Sequence, residues 1–126
     1  MLFPNTFSFD IQRHRKRFTL QNILSIPPKV TGVYVLYHKR SFVYVGQSKG
    51  RLKERMIKHY SESHNKKLAV WIKALDGDVE FTYITCQTTE VDDFEKSLIR
   101  YLQPITNEER YLSYTPKRTN WRKTHG

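Results

Sequence analysis

Glu95 stands where a carboxylate is costly. Val91, Phe94, Leu98, Ile99, Tyr101 and Leu102 have the spacing of a helix's apolar arc, and at about 100° per residue Glu95 falls inside it. An ionised carboxylate withdrawn from water costs roughly several kcal/mol unless it is paired. Its partner is either a buried arginine, which would make it structural, or a divalent cation, which would make it part of a reactive site. Two further groups stand out upstream. Gly32-Val33-Tyr34 and Tyr44-Val45-Gly46 put a tyrosine and a glycine near each outer end of one short hairpin. Arg51, Arg55 and His59 recur at i, i+4 and i+8, a polar row on one helix. Taken singly, each has an ordinary reading: packing tyrosines, a solvated helix face, and Asn107 as a turn residue after Pro104.

The background charge narrows the field. The chain has 126 residues, is 38% apolar and 27% charged, and carries a net charge of +10, which fits one folded domain with an attraction for a polyanion. Nucleic acid is the favoured partner, an acidic membrane face the other candidate. No apolar run approaches the roughly 20 residues of a membrane span, and "MLFPNTFSFDIQRHRKRF" lacks the order of a secretory signal. Cys86 is the single cysteine, so neither an internal disulfide nor a cysteine-built metal site is available. A reducing, cytoplasmic location is expected.

The elements that must position these residues can be read from pattern. Residues 1–29 read as a basic arm, with Arg13, Arg15, Lys16 and Arg17, followed by a short helix capped by Thr19. Strands are expected over roughly 32–38 and 41–47, rich in Val, Tyr and Phe. An odd-length loop at His38-Lys39-Arg40 would set Tyr34 opposite Tyr44. Val33, Val35, Tyr37, Val43 and Val45 would then share one face, and Tyr34, Leu36, Phe42, Tyr44 and Gly46 the other. The two tyrosines would point the same way, with Gly46 leaving the backbone open to approach. Helices follow over 50–61, with Leu52, Met56 and Tyr60 as the apolar row, and over 65–75. A third strand runs through "DVEFTYIT", and a last helix over 90–102 carries a capping-box pattern at Thr89 and Asp92. Residues 108–126 read as a polar, basic tail.

Together these residues resemble the GIY-YIG nuclease family. Gly32-Val33-Tyr34 stands in the place of GIY and Tyr44-Val45-Gly46 in the place of YIG. "QSKGRLKERMIKHY" resembles the segment after YIG, with its arginine at Arg55 and histidine at His59. "FEKSLIRYLQPITN" resembles the late segment, with the acidic residue at Glu95 and the asparagine at Asn107. The resemblance covers about 30–107, and valine replaces isoleucine in both triplets.

It implies a small α/β (α+β) domain, a central three-stranded antiparallel sheet flanked by helices. It also implies divalent-metal-dependent hydrolysis of phosphodiester bonds, with one Mg²⁺ or Mn²⁺ held by Glu95. Arg55 would bind phosphoryl oxygens and Tyr34 would be the general base, its phenolate favoured by Arg55. Tyr44 would hydrogen-bond the water or the phosphate. His59 would either relay the proton or hold Tyr34, and Asn107 would support the geometry. Lys49, Arg51 and the arm would contact nucleic-acid phosphates. The expected activity is a DNA endonuclease with little sequence specificity or directed by DNA structure, RNA remaining open as substrate, acting as a monomer or weak homodimer, with a targeting partner protein as an alternative source of specificity. The rival reading is a catalytically silent nucleic-acid-binding module of the same fold.

Overall fold

The computed structural model describes residues 14–75 and 77–117. Two strands dominated by β-branched and aromatic residues, β2 (Gly32–His38) and β3 (Ser41–Ser48), form an antiparallel hairpin. Before it come β1 (Lys16–Arg17) and the helix α1 (Leu20–Leu24), whose first turn is capped by the Thr19 side chain. After it come α2 (Leu52–Glu62), α3 (Lys66–Ala74), β4 (Glu80–Thr85) and α4 (Val91–Leu102). The sheet order is β1-β4-β2-β3, antiparallel throughout.

The sheet therefore has four strands where three were expected. The fourth comes from the basic arm, with Lys16 opposite Phe81 and Arg17 opposite Glu80. A two-residue strand of cations has no alternating apolar signal to read. Arg15, expected to reach nucleic acid, instead pairs with Glu80 at 2.6 Å and lies over the Tyr37 ring at 4.3 Å.

The hairpin register also differs. The chain turns on two residues, Lys39 and Arg40, with Lys39 in the left-handed region at φ 54. A bulge then follows, so that Tyr37 faces Phe42 while Leu36 faces Tyr44 and Tyr34 faces Gly46. Val43 joins the face of Tyr34, Leu36 and Tyr44, whereas Phe42 packs with Val33, Val35, Tyr37 and Val45. An extra residue in one strand re-phases everything beyond it, and strict alternation cannot register that. The expected side-by-side tyrosines survive, because the even turn and the bulge compensate in phase.

Each sheet face carries a core. On one, Val33, Val35, Tyr37 and Val45 pack against Val91, Phe94, Leu98 and Ile99 of α4. On the other, Tyr34, Leu36, Val43 and Tyr44 pack with Ile23 of α1, Leu52 and Met56 of α2 and Leu68 of α3. Tyr60, expected in the α2 apolar row, is 41% exposed and meets Phe18 edge-on at 5.7 Å. The capping box at the start of α4 is absent: Glu90 occupies the cap position without a side-chain cap bond, while Asp92 and Asp93 fill the first turn. Residues 108–117, read as tail, lie along α4, where the Tyr114 hydroxyl and the Lys117 N–H both donate to Asp93.

The outer edge of β3 is covered by 105–107. The N–H groups of Ile105 and Thr106 donate to the carbonyls of Phe42 and Val43. Asn107 closes the ladder with its side chain, accepting from the Val45 N–H and donating to the Val45 carbonyl, both at 2.9 Å. Asn107→Ala leaves both backbone groups partly buried and unpaired, and is expected to cost about 2 kcal/mol in urea unfolding. Asn107 lies among none of the residues lining the cavity described below.

Candidate active site

The row Arg51, Arg55, His59 advances 40° around α2 at each step of four residues, because four residues overshoot a turn of about 3.6. That drift carries the row from the surface inward. Arg51 and Arg55 are both exposed, Arg55 with its Nε turned inward to Tyr34, and His59 is only 2% exposed. At the inner end His59 Nε2 lies 2.7 Å from the Tyr34 hydroxyl, and Nδ1 lies 2.9 Å from Ser63 Oγ. Arg55 Nε donates to the Tyr34 hydroxyl at 3.3 Å. The Tyr44 ring completes the cluster, 6.1 Å from Tyr34 and 5.3 Å from His59 between centroids.

Gly46 makes this cluster possible. A Cβ there would stand 2.4 Å from the Tyr34 hydroxyl oxygen and 2.5 Å from its Cζ. The space expected to admit a nucleic-acid backbone is thus filled by the Tyr34 phenol. Gly32 serves the sheet: a Cβ there would lie 2.3 Å from the Ile84 carbonyl oxygen.

Electrostatics corrects one expectation. Burial pushes the Tyr34 phenol well above its ordinary pKa, Tyr44 adds to this, and Arg55 only partly offsets it. Arg55 alone does not make a phenolate at neutral pH. Tyr44 is raised for the same reason, burial first. Burial also opposes the charge on Arg55, but the two phenols and Glu95 outweigh it, and its pKa stands above the usual arginine value. His59 is pushed down to about 4, by burial first and then by Arg55 and His64.

The imidazole is therefore neutral in the folded protein and readily protonated once exposed. Because its folded pKa lies below the ordinary 6.5, the unfolded chain binds the extra proton between about pH 4 and 6.5, and stability is lost as the pH is lowered through that window. Relative to about pH 7, wild type is expected to lose about 2 kcal/mol at about pH 5 through this residue. His59→Gln should remove that part of the loss, measured as the difference between urea-unfolding free energies at the two pH values.

Glu95 faces a cavity of about 660 Å³, lined also by Arg55, Arg51, Lys49 and Lys58, with Gln47, Ser48 and Glu54. Its pKa is raised to about 7, by burial and then by Asp92, with Arg55 and Gln47 acting the other way. None of the ion pairs among the described residues includes it. Asp92, one turn earlier, is held by Lys49 at 3.2 Å and by the Gln47 amide.

The structure thus brings Tyr34, Tyr44, Arg55 and His59 into one cluster, sets Glu95 across the cavity wall from it, and puts Lys49 and Arg51 on the same cavity. It does not bring Arg15, Lys16 and Arg17 there: they lie at the opposite edge of the sheet from β3. Arg13 lies outside the described residues, as does the tail beyond Lys117. Sequence reasoning missed Lys58, Glu54 and Gln47. Lys58 was readable, since it follows Arg51 by seven residues on the same helix. Gln47 was not, because it reaches the site through Asp92 of α4.

A hairpin floor, an arginine–histidine helix over it and a carboxylate helix behind it make up the candidate site. The chain belongs to the GIY-YIG family: the GIY-YIG catalytic domain matches residues 30–111, more than half of its length. Among solved structures it is similar to the GIY-YIG N-terminal endonuclease domain of UvrC from Thermotoga maritima. A point mutant bound to its catalytic divalent cation has a TM-score of 0.57 at 22% identity, covering 71% of this chain and 96% of that one. The magnesium-bound form of that domain has a TM-score of 0.56 at 22% identity, covering 70% and 94%. No curated protein matches the sequence. No helix among the described residues is long and apolar enough to cross a membrane.

Proposed function

We propose that this protein is a divalent-metal-dependent endonuclease that hydrolyses phosphodiester bonds of DNA, with residues 30–107 as its catalytic unit and the basic segments 1–29 and 108–126 flanking it. The observation that carries the reading is Glu95: a carboxylate in no ion pair among the described residues, turned to a cavity whose other charged groups are mostly cationic and whose Arg55 wall leads to Tyr34 and His59.

The residues fit one hard cation. Among the described residues no group of three His, Cys, Asp or Glu forms an all-protein cage. Mg²⁺ commonly takes one or two carboxylates and completes its shell with water and substrate phosphate, which suits Glu95 in an open cavity. When bound, Mg²⁺ or Mn²⁺ supplies charge neutralisation at the phosphate and its leaving oxygen. The UvrC domain structures, which carry a catalytic divalent cation, support the same choice.

The protein's own groups do the rest. Arg55 presents a fixed fork of donors to the phosphoryl oxygens, geometry that a lysine lacks. Tyr34 accepts from Arg55, and its own proton is directed to His59 Nε2, with the His59 proton on Nδ1 donated to Ser63 Oγ. Proton removal from the attacking water then passes through Tyr34 to His59. The water's proton replaces the one Tyr34 passes on, so the product is a neutral phenol beside an imidazolium and no lone phenolate is required in a buried setting. The direct test is supercoiled plasmid with Mg²⁺, Mn²⁺ or EDTA, scoring nicked against linear product. Metal-dependent nicking is expected. Salt-sensitive binding without cleavage under any ion overturns the enzyme reading.

A further inference from the structure

The cavity-lining residues of α2 have a geometry that goes beyond holding one phosphate. Arg51 and Lys58 are seven residues apart, which is about 700° of helix, within about 20° of two full turns. They stand one above the other on the cavity rim, about 10 Å apart along the axis. Arg55 lies between them, rotated inward to the Tyr34 hydroxyl. Glu54 lies between them too, rotated to the other side, and all four line the same cavity. Along one strand of B-form DNA, phosphates succeed each other at about 3.4 Å of axis, so about 10 Å covers roughly three steps, from one phosphate to the third beyond it.

We infer that α2 reads a register of about four consecutive phosphates on one strand: Arg55 takes the reacting phosphate, Lys58 the phosphate about one step to one side and Arg51 the one about two steps to the other. Glu54, on the outer side of the row, repels a backbone that slips away from Arg55. The bound strand therefore runs along α2 rather than across it. This rests on the nuclease reading and specifies its substrate as a locally extended, fully charged run of backbone. Lys49 plays a different part, since its ammonium is already engaged by Asp92.

The test uses the full chain and duplexes in which one strand carries uncharged methylphosphonate linkages except for a central window. Windows hold the reacting phosphate alone, charged phosphates added on its 5′ side, charged phosphates added on its 3′ side, or both additions together. Wild type is expected to gain about tenfold in cleavage rate from each added side. Arg51→Gln should lose the gain from one side only, and Lys58→Gln the gain from the other. Lys58→Arg, which keeps the charge, should retain both. On unmodified DNA each Gln variant should flatten the slope of log K against log salt by about 0.9, the equivalent of one phosphate.

If the two variants lose both gains equally, or neither gain is lost, the register is wrong. If wild type cleaves nothing, the enzyme reading has failed instead. The same windows are then read as equilibrium binding in EDTA, where side-selective losses still support the register and equal losses still overturn it.

Discussion

Glu95→Gln is expected to make the protein more stable and inactive at once. The glutamate is half-buried, pairs with no cation among the described residues, and stands near Asp92. Its pKa is raised from 4.5 to about 7, so the folded state holds the proton more tightly than the unfolded chain does. That contribution to stability is complete below about pH 4.5 and is lost as pH rises to about 7. At about pH 8 without divalent ions the ionised carboxylate costs up to about 3 kcal/mol, at about 1.4 kcal/mol per unit. The isosteric amide carries no such charge, and in EDTA it should raise the urea-unfolding free energy by about 2 kcal/mol at that pH and change it little near about pH 4.5. Mg²⁺ at about a hundredfold over its dissociation constant should add about 2.7 kcal/mol to wild type and almost nothing to the variant. Cleavage should fall by about a thousandfold, the equivalent of about 4 kcal/mol of transition-state stabilisation. A variant that is less stable at about pH 8, or that still cleaves, would show that Glu95 is a structural carboxylate and not the cation's ligand.

Much of this was legible because the site lies on elements with strong periodic signals. Glu95 announced itself by breaking the apolar arc of α4, and Arg55 and His59 by their spacing on α2. Their convergence with Tyr34 was implied only by the resemblance to the GIY-YIG family; the hairpin pattern gave no more than two tyrosines on one face. Three things were hidden for separate physical reasons. The bulge at Val43 re-phases β3 without leaving a glycine or proline to mark it. The strand at Lys16–Arg17 forms because β4 offers it an open edge, a long-range cause that two residues cannot declare. The role of Gly46 was inverted, since a glycine in a strand signals a close approach but does not name what approaches. Here the approaching group belongs to the protein itself. The state of Tyr34 was equally illegible: a cation nearby argues for phenolate, and only the extent of burial shows that desolvation outweighs it.

Gly46→Ala follows from that inversion and should be far more damaging to activity than its size implies. The added methyl would stand 2.4 Å from the Tyr34 hydroxyl oxygen, 2.5 Å from Cζ and 2.9 Å from Cε2 of Tyr44. Tyr34 is fully buried and held by His59 and Arg55, so it cannot yield without breaking the contacts that aim its proton. Overpacking of this kind costs about 1–3 kcal/mol in stability. A displacement of about 1 Å in a reacting group costs about a hundredfold in rate, so cleavage should fall by at least that factor in a protein that still folds. Tyr34→Phe in the same background should relieve little of the strain, because the ring carbon Cζ is as crowded as the oxygen. Gly32→Ala is the control, since it collides with the Ile84 carbonyl in the neighbouring strand and should lower stability through the sheet, with no direct push on Tyr34. Rates are compared below the unfolding transition of each variant, alongside urea-unfolding free energies. If Gly46→Ala retains wild-type cleavage, then the Tyr34 hydroxyl tolerates displacement, and its role as the first acceptor of the water proton is lost. If Gly32→Ala and Gly46→Ala lose activity only in proportion to stability, both glycines serve the sheet alone.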